Sequence, residues 1–211
     1  MALETVSQLI AWKPPEVDSV IEKGILLPDT RMMIFGPPKG WKSMLALHTA
    51  FILAEGGSWF GYKTTKSFPA VIQVELPKSV YRKRVIKYVR GRGAPAPDNL
   101  LLESATRLKL DTRYGKDQLE NYIKTAQQSA SNLHLVLILD CLYKLMSGHI
   151  SDEYDAKQLI DNIDELIAKH HFSIIIIHHV HKTRFDAAGN ILDLGPEESM
   201  GSSYWGNWVD T

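Results

Sequence analysis

Eight consecutive residues, Gly36-Pro37-Pro38-Lys39-Gly40-Trp41-Lys42-Ser43, carry the most specific chemistry in the sequence. They approach the pattern G-x-x-x-x-G-K-[ST]. In that pattern backbone N–H groups at a helix N-terminus surround phosphates, a lysine reaches the terminal phosphates, and a hydroxyl holds Mg²⁺. On this reading Gly36, Pro38, Lys39, Gly40, Trp41, Lys42, Ser43 and Met44 form the nucleotide cradle, with Lys42 on the phosphates and Ser43 on the metal. The glycine expected directly before the lysine is Trp41, while Gly40 lies one residue earlier. Trp41 is expected to keep ordinary backbone dihedrals in an intact loop; the alternative is a strained region costing about 1–3 kcal/mol. A strand-turn-helix that binds no nucleotide would have the same local pattern.

Three further groups lie at the ends of apolar runs. Ala70-Val71-Ile72-Gln73-Val74-Glu75 reads as a strand finishing on a carboxylate. In a parallel sheet the carboxyl ends of strands face the ligand crevice, so Glu75 would emerge near the phosphates. There it is either a general base for water or a surface acid in a strand-end loop. Leu133-His134-Leu135-Val136-Leu137-Ile138-Leu139-Asp140 is the strand type buried on both faces, and Asp140 would hold Mg²⁺, through water, opposite the Ser43 hydroxyl. Residues 172–177 form a last buried strand leading into His178-His179-Val180-His181-Lys182. His179 and His181 would share one strand face, which raises zinc, yet no other cluster of His, Cys and carboxylate has ligand spacing. A γ-phosphate sensor is the preferred reading, with a buried structural histidine as the alternative.

The elements that must position these groups follow from periodicity and punctuation. A helix over 42–55 is apolar nearly all round, as for one covered on both sides, and Gly56-Gly57 ends it. A buried strand at 32–35 precedes the loop, and a short strand is expected at 100–102. Helices are expected over 80–92, 116–129 and 154–170, the last capped by Asp152. The alternation gives an α/β fold: a mostly parallel central sheet flanked by helices in three αβα layers. Residues 1–29 read as an arm packing on the core. Its first helix is broken at Pro14-Pro15, and a second at about 16–23 is closed by Gly24. The core is residues 30–211. Helix 80–92 interleaves Arg82, Lys83, Arg84, Lys87, Arg90 and Arg92 with Tyr81 and Tyr88. Such a face could meet nucleic-acid phosphates or an acidic subunit surface, or could be a solvated face. Residues 184–196 read as a hairpin or mobile loop.

Composition limits the classes. The 211 residues are 45% hydrophobic and 23% charged, enough for one sizeable core. Twenty-four basic residues balance 24 acidic ones, so net charge gives no global case for nucleic acid or membrane. The single cysteine, Cys141, excludes an internal disulfide framework and fits a reducing cytosol. No apolar run approaches a membrane span and no leader is evident, so a cytoplasmic protein with no membrane partner is expected.

With these residues in view, the chain resembles the RecA-like P-loop ATPases, in the branch of RepA-type hexameric replicative helicases and AAA-type plasmid and phage ATPases. The resemblance spans about residues 25–208 and rests on Gly36 to Ser43 followed by Met44-Leu45-Ala46-Leu47, on Glu75, and on Asp140-Cys141-Leu142-Tyr143-Lys144-Leu145. His178-His179 with Lys182, and Gly201-Ser202-Ser203, complete it. It implies that Lys42 and Ser43 bind ATP and Mg²⁺, that Asp140 is the Walker B residue, and that Glu75 is the catalytic base. His179, or alternatively His178, would be the sensor, since strand alternation does not choose. The family arginine after Glu75 matches Arg82 or Arg84. DNA or subunit contacts would come from Arg82, Arg84, Lys182 and Arg184 and from loops at about 146–153 and 182–198. The implied assembly is a homo-oligomeric ring or filament, a hexamer favoured, on single-stranded DNA. Three departures stand out: Trp41 in place of a motif glycine, Cys141 where the family often has proline, and a sequence that stops before the family's further strands and frequent arginine finger, as in a C-terminally shortened core. Two other functions remain open: a nucleotide-gated binding module with little hydrolysis, and a P-loop small-molecule kinase. The kinase would need an arginine-rich lid, and Arg184 is the only arginine after Arg113.

Overall fold

The computed structural model describes residues 3–13, 18–148, 152–179, 184–185, 191–192 and 203–211. In chain order the elements are α1 (Val6–Ala11), β1 (Arg31–Gly36), α2 (Lys42–Glu55), β2 (Ser58–Trp59), β3 (Tyr62–Lys63), β4 (Phe68–Gln73), α3 (Lys78–Arg92), β5 (Leu101–Ser104), α4 (Arg113–Ala130), β6 (Leu135–Asp140), a 3-10 turn (Leu142–Lys144), α5 (Glu153–His170), β7 (Ser173–His179), β8 (Arg184–Phe185), β9 (Ile191–Leu192) and α6 (Ser203–Trp208).

The central sheet has five parallel strands in the order β1-β7-β6-β4-β5. Strand side chains alternate between faces, and the two faces collect separate apolar clusters. Leu135, Leu137, Leu139, Ile174 and Ile176 pack with Leu119 and Ile123 of α4, Leu159 and Ile163 of α5, and Trp205 of α6. Val136, Ile138, Ile175 and Ile177 pack with Ala46, Ala50 and Leu53 of α2 and with Val20, Ile21 and Leu26. These are the expected three layers. The middle strands β4 and β6 are buried along their whole length, which explains their unbroken apolar sequence.

Two local expectations change. The buried strand expected at 32–35 is only half buried: β1 lies at the sheet edge, Met32 and Met33 are buried on its two faces, and Phe35 is exposed. Its outer edge is not bare: Met33 N–H donates to the Thr211 carbonyl (2.8 Å), and Asp210 N–H donates to the Arg31 carbonyl (2.9 Å). No helix forms over residues 18–23 of the predicted second arm helix, the preceding part of which lies outside the described residues. Lys23 and Gly24, both at positive φ, turn the chain so that Ile21 bridges Leu26 and Thr64. Tertiary pairing wins there over helix periodicity. α1 buries none of its residues, whereas Val20, Ile21 and Leu26 lie in the core.

The remaining terminators act as their chemistry requires. Gly56 at φ 70° caps α2 through its N–H on the Ile52 carbonyl. Asp152 accepts from the N–H groups of Tyr154 and Asp155 at the start of α5. β8 and β9 pair as an antiparallel hairpin whose connecting residues 186–190 lie outside the described residues.

Candidate nucleotide site

Register brings the predicted residues to one end of the sheet. Gly36 lies beside His179, Asp140 beside Ile177, and Gln73 beside Asp140, all at the carboxyl ends of their strands. The loop after β1 then passes into α2. Gly40 N–H donates to the Pro37 carbonyl (3.2 Å), and a Cβ on Gly40 would sit 3.0 Å from that oxygen, a close approach that favours glycine.

Trp41 departs from expectation. Its backbone is left-handed, φ 60° and ψ 12°, at the N-cap of α2, so it holds the strained conformation and not an ordinary one. Lys39, at φ 63°, shares the feature. The loop keeps the glycine-like turn with an indole attached. That indole is 78% exposed and lies at the rim of a cleft rather than inside the loop.

Lys42 is buried, and its Nζ donates to the carbonyls of Gly36 (2.7 Å) and Pro37 (2.6 Å). Burial lowers the ammonium pKa, and the neighbouring acidic groups partly offset this. Ser43 lies close enough to the Asp140 side chain to act on its charge. Asp140 is buried, and its Oδ1 has no hydrogen-bond partner among the described residues. Burial pushes its carboxyl above the usual range, opposed by the nearby Ser43 hydroxyl and reinforced by Glu75. A buried carboxylate oxygen without a partner beside a hydroxyl is a hard-oxygen donor set, and Mg²⁺ fits it.

β4 ends at Gln73, so Glu75 sits in the turn beyond it and not in the strand. Gln73 builds that turn. Its Oε1 accepts from the N–H groups of Glu75 (3.1 Å) and Leu76 (2.7 Å), while its Nε2 donates to Ser104 Oγ (2.7 Å). Glu75 Oε1 accepts from the Tyr143 hydroxyl (2.8 Å) and lies 3.7 Å from His179 Nε2. The rings of Tyr143 and His179 meet edge to face at 5.6 Å. His179, and not the more deeply buried His178, therefore faces the site.

Lys42, Ser43, Glu75 and His179 line one cleft of about 910 Å³. Its floor is the loop from Lys39 to Met44, with Glu75 and His179 at one end. Its far wall is α3, through Lys83, Arg84, Lys87, Tyr88 and Arg92. Arg84 faces the cleft and its charge acts on Asp140; Arg82 is exposed and does not line it. Lys182 and His181 lie outside the described residues, as do the side chain of Arg184 and Gly201-Ser202.

Sequence reasoning did not single out Gln73, Tyr143, or the His48–Tyr88 pair (2.8 Å) that joins α2 to α3 along the cleft. Gln73 had a signal: an amide inside an otherwise apolar strand needs partners. Tyr143 had none, because its contact with Glu75 spans 68 residues.

Comparison with known proteins agrees with this geometry. No curated protein sequence matches. The ATPase domain of G40P has the same fold, with a TM-score of 0.61 at 11% identity over 86% of this chain and 67% of that one. A DnaB-like replicative helicase, described with its interactions with primase, superposes with a TM-score of 0.53 at 12% identity over 73% of this chain. The match spans 39% of that helicase. These likenesses establish the RecA-like P-loop ATPase fold. The model of the AAA domain family AAA_25 matches residues 1–184, most of the sequence, and the chain belongs to that family.

Proposed function

We propose that the chain is a Mg²⁺-dependent ATP hydrolase acting within a homo-oligomeric, DNA-linked motor in the cytoplasm. The observation that carries this is the buried Asp140 Oδ1, without a partner among the described residues, near Ser43 and on the same end of the sheet as Glu75.

The roles follow from position. The loop N–H groups and Lys42 receive the triphosphate, and Lys42 exchanges the carbonyls of Gly36 and Pro37 for phosphate oxygens. Ser43 and Asp140 would hold Mg²⁺, which supplies charge neutralisation on the phosphates. Glu75 takes a proton from water as its oxygen bonds to the γ-phosphorus and the bond to the ADP oxygen breaks. The Tyr143 hydroxyl fixes one oxygen of that carboxylate and leaves the other for the water. Arg84 adds positive charge opposite the phosphates, and His179, touching both Tyr143 and the region of Glu75, senses the γ-phosphate. The helicase-type neighbours support the motor reading, with hexamer the favoured assembly and replication the favoured setting. Arg184, Lys182 and the α3 arginines are the proposed DNA or subunit contacts.

Phosphate release measured with and without single-stranded DNA tests this directly. The proposal expects stimulation by DNA, loss of turnover in Glu75→Gln, and larger particles with a non-hydrolysable ATP analogue. Unstimulated activity that survives Glu75→Gln would refute it.

A further inference from the structure

The candidate site holds a second donor set, of which the proposed phosphate chemistry uses two members, Glu75 and His179, and leaves the third, the Cys141 sulfur, without a role. A carboxylate oxygen of Glu75, the Cys141 sulfur and an imidazole nitrogen of His179 all lie within 4.8 Å of one another. Sequence spacing hides this group, because its members come from the turn after β4, the residue after β6 and the end of β7. We propose that Glu75, Cys141 and His179 form a binding site for a thiophilic divalent cation of the Zn²⁺ class, and that filling it switches ATP hydrolysis off.

The geometry is close to what such an ion needs. At metal–ligand distances of about 2.0–2.3 Å, neighbouring ligands of a tetrahedron stand about 3.3–3.8 Å apart. Glu75 Oε1 and His179 Nε2 are already 3.7 Å apart. With every pair inside 4.8 Å, side-chain shifts of about 1 Å close the set. Cys141 is buried while Glu75 and His179 are partly open, so water completes the tetrahedron from the cleft. Outer support is present as well: the Tyr143 hydroxyl holds Glu75 Oε1, and its ring edge packs on the His179 imidazole.

Donor type separates this site from that of Mg²⁺. Ser43 and Asp140 offer hard oxygens, whereas a thiolate and an imidazole select borderline or soft ions. On binding, the Cys141 S–H proton leaves to water as the sulfur–metal bond forms, and the two negative ligands balance the ion's charge. The effect on turnover rests on the reading of Glu75 as the base: a carboxylate bound to the ion no longer accepts the water proton.

Co²⁺ is the probe, because thiolate ligation gives a near-ultraviolet charge-transfer band and tetrahedral coordination gives intense visible bands. Wild-type chain without nucleotide should bind stoichiometric Co²⁺ with both signals, and Zn²⁺ should abolish them. Cys141→Ser and Cys141→Ala should lose the thiolate band and bind at least about 10-fold more weakly. With millimolar Mg²⁺ present, micromolar Zn²⁺ should inhibit wild-type ATPase, and both variants should need at least about 10-fold more. Absence of the thiolate band in wild type overturns the site. Equal zinc sensitivity in the variants overturns the switch and places inhibition at Asp140 and Ser43. A chain that gives the band but releases no phosphate leaves the site standing and refutes the hydrolase reading instead.

Discussion

The left-handed backbone at Trp41 makes a quantitative test through two substitutions that remove the same indole. At φ 60° a non-glycine residue is strained by about 1–2 kcal/mol. The indole is 78% exposed, so roughly a fifth of its area, about 50 Å², contributes about 1 kcal/mol of apolar burial. Trp41→Ala loses that burial and retains the strain. Trp41→Gly loses the same burial, relieves the strain, and gives back about 0.4–1 kcal/mol through its more flexible unfolded chain. Glycine should therefore exceed alanine by about 0.5–1 kcal/mol, or roughly 1–4 °C in Tm for a chain of this size. Thermal unfolding without ligand, followed by calorimetry at one scan rate, measures the gap. If Trp41→Ala melts at or above Trp41→Gly, the indole is not held against a backbone penalty and the strain argument fails.

Other outcomes follow from the same geometry. Lys42→Ala should reduce phosphate release by at least about 10²-fold, checked by steady-state turnover at saturating ATP. Glu75→Gln should lower kcat by about 10²–10⁴ while nucleotide binding, read by equilibrium dialysis, persists. Gln73→Leu removes the acceptor of the Glu75 and Leu76 N–H groups, so kcat should fall with little change in the Kd for ATP, and stability should drop by about 1–3 kcal/mol. Asp140 has a raised pKa in the folded chain, so the folded state binds the proton more tightly and stability falls as pH climbs through and above the ordinary carboxylate range. Asp140→Asn should thus raise the ligand-free Tm at pH 7, with the advantage shrinking toward pH 4, and should abolish stabilisation by Mg²⁺ with nucleotide.

Much of this arrangement could be read from the chain itself, and the rest fails for identifiable reasons. Uninterrupted apolar runs at β4, β6 and β7 gave the buried parallel strands, and their terminal polar residues gave Asp140 and His179. Parallel strands put those ends on one side, which is why a one-dimensional pattern reaches a three-dimensional site. Strand order was not legible: nothing local says that β1 lies at the edge, because Met32 and Met33 are buried by α2 and the tail rather than by a second strand. The choice between His178 and His179 needed the ring contact with Tyr143. The dihedrals of Trp41 were not legible because steric preference points away from a left-handed residue, while the loop's closure onto α2 requires one. The two-residue ribbon of β2 and β3, with Phe60 and Gly61 at positive φ, was too short to show a period.

The backbone of Asp210 and Thr211 lies along β1, the strand that delivers the phosphate loop. Behind it, Trp208 Nε1 and Arg31 Nε both donate to Asp164 Oδ1, and Trp205 is sunk in the core. This makes residues 205–211 a latch on a strand that otherwise has one strand neighbour among the described residues. Peeling it away would strip the Met33 amide of its acceptor three residues before Gly36, so the order of residues 210–211 is coupled to the root of the nucleotide cradle.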